Sequence, residues 1–123
     1  MKHTVVMILA LCGLLSGTSA GADMNKTAPA IPAAPGSKAE MAINEGMAHY
    51  DKGHWDVAKK HFQEALQADQ RSAEAHYDLA LALDKAGDHK SAIEHFKAAQ
   101  ELGKDNPQIQ NSGILQAHLK AKH

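Results

Sequence analysis

The chain repeats itself at an offset of 34 residues, and nothing else in it restricts the fold as strongly. Residues 39–72, AEMAINEGMAHYDKGHWDVAKKHFQEALQADQRS, align with residues 73–106, AEAHYDLALALDKAGDHKSAIEHFKAAQELGKDN. The identical pairs are Ala39/Ala73, Glu40/Glu74, Ala48/Ala82, Gly53/Gly87, Ala58/Ala92, His61/His95, Phe62/Phe96 and Ala65/Ala99. At this period each copy is one supersecondary unit that cannot bury its apolar face alone, so copies stack. Each copy reads as two helices joined at a glycine, Gly53 or Gly87, which tolerates the positive φ of a tight turn. In the second helix, Ala58, Phe62 and Ala65, or Ala92, Phe96 and Ala99, fall on one stripe in small–large–small order. The alanines let two backbones approach, and the phenylalanine fills the gap they leave. The predicted fold class is all-α: two helix-turn-helix repeats plus a C-terminal capping helix, forming a short α-solenoid.

Boundaries follow from capping chemistry. Ser72 precedes Ala73 as an N-cap, with Ala75 where a capping-box Glu would stand. Asn106-Pro107 is a stronger start, Asn at the cap and Pro at the first helical position. Residues 107–121 then predict a single fifth helix, with Ile109, Leu115 and Leu119 on its apolar face and Gln108, Gln110, Gln116 and Lys120 on its polar one. Gly113 would weaken that helix by about 1 kcal/mol relative to Ala. The resulting segments are 39–72, 73–106, and 107–123 as capping helix and tail. Two units and a cap lie near the lower limit for a stable solenoid, which leaves room for a partner or a second copy to complete the stack.

This pattern resembles the tetratricopeptide repeat family over residues 39–106. The family's W-x-x-L-G-x-x-Y…A-x-x-x-F signature falls on Ala42, Glu45, Gly46, His49, Ala58 and Phe62 in the first unit. In the second it falls on His76, Leu79, Ala80, Leu83, Ala92 and Phe96. Trp55 and His89 occupy the place after the turn where the family usually has an aromatic. The closing proline is absent from the first unit, where Gln70 stands instead.

Two segments precede the repeats. Residues 1–22 carry Lys2 and His3, the apolar run TVVMILALCGLL and the small residues SGTSAGA, the pattern of a secretory signal peptide cleaved after Ala22 or Ala20. Export is the expectation, to the periplasm in a Gram-negative cell and otherwise to the outside, and the run is too short to span a bilayer comfortably. Cys12 is the only cysteine. Leu11 directly precedes it, unlike the lipoprotein signal in which two small residues intervene, so lipidation is not expected. Cleavage would leave a chain without any thiol. Residues 23–38 hold three of the four prolines (DMNKTAPAIPAAPGSK) and read as an extended, poorly ordered tether.

The resemblance implies a ligand groove lined by the first helix of each unit. By register it comprises Glu40, Ile43, Met47, Tyr50 and Asp51, then Glu74, Tyr77, Leu81, Asp84 and Lys85. Asn111, Leu115 and Leu119 would extend it along the cap. Its centre is apolar and its rim acidic, which suits an amphipathic helix or an extended peptide held by apolar anchors. The competing expectation is that these side chains pack within the repeats or against the tether. A net charge of −1 and a pI near 6.7 give no basic footprint for nucleic acid. The expected partner is a protein or peptide.

Nine histidines raise a metal-binding alternative, a histidine-rich envelope protein that binds or buffers metal. Two imidazoles on one helix share a face when spaced i,i+4, and no two histidines here stand four apart. His61 and His95, at equivalent places in the two units, are expected to face each other with Glu64 beside His61 as the remaining candidate ligands. Glu45 and His49, spaced i,i+4 where the family has Leu and Tyr, would form a pH-sensitive pair if buried, but no earlier repeat covers this face and exposure is the expectation. No cofactor is implied. Catalysis finds no footing either, with no cysteine nucleophile, no glycine-rich phosphate loop and no serine beside an evident base and oxyanion donor.

Overall fold

The computed structural model describes residues 28–121, and every regular element in that span is a helix. The elements are α1 (Glu40–Asp51), α2 (Trp55–Ala68), α3 (Ala73–Lys85), α4 (His89–Leu102), α5 (Pro107–Gln110) and α6 (Gly113–Lys120). The signal-peptide pattern at 1–22, the start of the proline-rich segment and His123 lie outside the described residues.

Gly53 and Gly87 have φ of 82° and 93° and stop α1 and α3. The amides that follow reach back in the same way: His54 N donates to His49 O and Asp88 N to Leu83 O, both at 2.9 Å. A positive φ at C′ with this long return bond is the Schellman stop, and a side chain at the glycine would strain it. Helices α1 and α2 form one hairpin and α3 and α4 a second, with α2 and α3 packed at their junction. The predicted stripes are fully buried: Ala58, Phe62 and Ala65 on α2, Ala92, Phe96 and Ala99 on α4. Ser72 Oγ accepts from Ala75 N at 3.1 Å, and Asn106 Oδ1 accepts from Gln108 N at 2.9 Å, so both predicted caps are made.

Two expectations change. Residues 107–121 are not one helix, because Ser112 breaks them. Its Oγ accepts from Leu115 N at 3.3 Å, capping α6, and also meets Tyr77 Oη at 2.6 Å. Serving both partners holds Ser112 in an extended conformation, with ψ of 121°, that a continuing helix would not allow. Gly113 accordingly opens α6 instead of interrupting a longer helix. The second change concerns the tether. Ala30 and Ile31 are buried, and residues 28–33 lie against the repeats in an irregular path. Burying Ile31 while satisfying its amide outweighs the freedom that a solvated proline-rich chain would keep.

Candidate functional site

The apolar side chains named for the groove pack within the repeats and against the chain's own residues 28–33, the competing expectation. Tyr50, at the end of α1, donates its hydroxyl to Ala28 O at 2.8 Å. Ile31 N donates to Asp78 Oδ1 on α3, also at 2.8 Å. Between these two anchors Ala30 and Ile31 join Tyr50, Tyr77 and Leu81 in the main apolar cluster. Ile43 belongs to a smaller cluster with Ala39, Ala65 and Ala75, against which Ala33 and Met47 pack.

The apolar groove residues are therefore covered, with Ile43, Tyr50, Tyr77 and Leu81 buried and Met47 half-buried. The polar rim is more open. Asp51 and Lys85 are exposed, and Lys85 Nζ sits over the Trp55 ring at 5.6 Å. Glu40 Oε1 accepts from Gly36 N, and Glu74 Oε2 accepts from Asn106 Nδ2, each at 2.9 Å. Along the cap, Asn111 is exposed, Leu119 half-buried and Leu115 fully buried. Leu115 is thus a core residue and does not extend the groove.

Asp78 was not legible as a site residue, since Asn44 stands at its equivalent in the first unit. Its carboxyl is fully buried, Oδ1 is taken by Ile31, and Oδ2 has no partner among the described residues. Burial pushes Asp78 well above the usual carboxylate range, opposed by the Ile31 amide and reinforced by the charge of Glu74. Burial also raises the Tyr50 hydroxyl, with Asp78 the largest charge adding to it. The Tyr77 hydroxyl rises for the same first reason, while its bond to Ser112 opposes the shift. All three shifts favour the protonated forms, so burial works against charge at the centre of this face.

The histidines among the described residues gather into three groups, each built between helices. His61 lies 3.5 Å from Glu45 and 3.2 Å from Glu64, and His49 stacks on it at 5.4 Å between ring centres. Glu45 is exposed there, as expected where no earlier repeat covers this face, and it faces His61, so the burial that a pH-sensitive Glu45–His49 pair would need is absent. His95 stacks instead on His76, their Nδ1 atoms 3.0 Å apart. His76 Nε2 donates to Gln70 O at 3.1 Å, which leaves His76 Nδ1 to accept from His95. His61 and His95 are consequently in different groups and do not face one another. Burial, then His76, lowers the His95 pKa. The third group, Asp84, His89 and His118, was not foreseen, because the i,i+4 criterion sees only one helix at a time.

A family model described as Tetratricopeptide repeat matches residues 43–107, just over half of the chain. The chain belongs to the tetratricopeptide repeat family. No curated protein matches the sequence at a significant level. Tetratricopeptide repeats are typically non-catalytic protein–protein interaction modules, and this repeat pair carries the hairpins, the α2 and α4 stripes and the face between α1 and α3 of such a module. None of the helices among the described residues is long and apolar enough to cross a membrane.

Proposed function

We propose that this tetratricopeptide repeat protein is an exported interaction module that receives an extended, Ala/Pro-rich peptide on the α1–α3 face. In a Gram-negative cell it would be periplasmic. The secretory pattern of residues 1–22 supports export. The observation that carries the binding mode is the seating of residues 28–33. A carbonyl accepts from Tyr50, an amide three residues later donates to Asp78, and an aliphatic side chain is buried beside them. Main-chain bonds of this kind supply affinity, and the side-chain pocket supplies selection. An extended occupant fits this face better than a helix, whose amides are already used within its own turns.

The resident segment competes with any incoming peptide. Being tethered, it acts at the millimolar effective concentrations typical of short linkers, so a partner must displace it. The test uses a chain beginning at Gly36, checked by circular dichroism, and a labelled peptide copying residues 28–34. Saturable binding that is weakened by Asp78→Ala supports the reading, and absence of binding to a folded chain rejects it. A second reading, a metal-binding protein of the envelope, is favoured by one observation, the convergence of Asp84, His89 and His118.

A further inference from the structure

Register between the two units isolates an exchange of chemistry. Tyr50 and Trp55 in the first unit form an edge-to-face aromatic pair, ring centres 5.1 Å apart, across the turn between helices. At the equivalent places the second unit has Asp84 and His89, with His89 Nδ1 2.6 Å from Asp84 Oδ1. His118, from α6, comes onto the same oxygen with Nε2 at 2.7 Å. The three donor atoms all lie within 4.8 Å of one another.

The bonding of His118 makes the contact specific. Its Nδ1 is 2.9 Å from Ile114 O, and a carbonyl only accepts, so Nδ1 carries the proton. In the neutral ring Nε2 then presents a lone pair to a carboxylate oxygen that also only accepts. Either a second proton on the ring or a cation bridging the two resolves this contact. With His89 converging on the same oxygen, one cation would satisfy every donor at once. A ring fixed through its other nitrogen by a backbone carbonyl is the arrangement that orients metal-ligating histidines. Asp84 also stands in the last turn of α3, where the helix dipole disfavours an uncompensated anion.

We propose that Asp84, His89 and His118 bind a first-row divalent transition-metal ion, pinning the cap helix α6 to the turn of the second repeat. Two imidazoles and one carboxylate suit zinc and its neighbours, whereas hard magnesium prefers an all-oxygen shell. Ligands about 2.1 Å from the ion stand about 3.4 Å apart in a tetrahedron, so the two contacts open by less than about 1 Å. His89 can supply that movement, being 58% exposed, while Asp84 and His118 are 16% exposed and held. The open side beside His89 leaves the fourth position to water. The Glu45–His61–Glu64 group is a contrast, with both carboxylates more than half exposed and only one imidazole.

The test is calorimetric titration of the untagged chain from residue 23 with Zn²⁺, Ni²⁺ and Mg²⁺, paired with thermal melts. One equivalent of Zn²⁺ or Ni²⁺ should bind and raise the melting temperature, with no effect of Mg²⁺. Asp84→Asn, His89→Gln and His118→Gln should each weaken binding about tenfold or more and abolish the rise, and His61→Gln should change neither. Exposed His89 can be replaced without disturbing packing, so His89→Gln decides the matter even if the other variants fold poorly. Failure of the parent chain to bind, binding undiminished in His89→Gln, or loss in His61→Gln overturns the site. So would an equal rise with Mg²⁺.

Discussion

Ile31 gives its backbone N–H to Asp78 Oδ1 at 2.8 Å, joining the segment before the repeats to the middle of α3. The bond uses one carboxyl oxygen and leaves the other buried without a partner among the described residues. Burial raises the pKa of this carboxyl well above 3.8. The folded pKa exceeds the unfolded one, so its stabilising contribution is full below the unfolded value and is lost as pH rises through the folded value. Asp78→Asn keeps the acceptor for Ile31 and removes the titration. It should therefore be more stable than the parent at neutral pH, with the difference shrinking as pH falls toward 4, as read from urea midpoints.

The same bond predicts how the segment detaches. Ile31→Ala removes an aliphatic group that is only 4% exposed and should cost about 2–5 kcal/mol if the segment unfolds with the repeats. If the segment is a displaceable ligand, the loss falls mainly on its own docking. Hydrogen exchange distinguishes these, and the expected result is faster exchange at the residue 31 amide with α2 and α4 amides unchanged.

The fold was legible because its determinants are local and repeated. Gly53 and Gly87 mark the turns, Phe62 and Phe96 the interior, and Asn106-Pro107 the entry to the cap, each through chemistry confined to a few residues. What was not legible depends on contacts across the sequence. Ser112 reads as a surface serine until Tyr77 is placed against it. Ile31 in a proline-rich tract reads as linker until Asp78 is available to its amide. His118 lies far from Asp84 in sequence and meets it only because α6 folds back onto the second repeat. That residues 28–33 lie against the side chains named on α1 and α3 could not be read from periodicity.

Gly46 and Gly113 predict opposite responses to alanine. A Cβ at Gly46 would overlap the Phe62 ring, with Cδ1 at 2.6 Å, so the first hairpin packs α1 directly on an aromatic face. Ala80 stands at the equivalent place in the second unit, which shows that this closeness belongs to the first hairpin alone. Gly46→Ala should cost about 1–3 kcal/mol through overpacking. Gly113 meets nothing within 4 Å, its φ is not positive, and it opens α6. Gly113→Ala should stabilise by about 0.4–1 kcal/mol, mainly by restricting the unfolded chain. Thermal or urea denaturation of the two variants measures both.

The His76–His95 pair predicts a sensitivity to mild acid. Burial first, and His76 second, depress the His95 pKa below 6.5. Here the unfolded chain binds the proton more readily, so the pair's stability is present above the unfolded pKa and is lost as pH falls through the folded one. His95 would take up its second proton at Nε2, because its Nδ1–H is already donated to His76 Nδ1, whose ring is fixed through Nε2 by Gln70 O. The melting temperature should therefore fall as pH drops below about 6.5, and His95→Gln should flatten that fall relative to the parent. A parallel decline in the two proteins would assign the acid sensitivity to other groups. The cleanest readout follows the His95 ring by NMR through the same titration, where a midpoint below that of a model imidazole is expected.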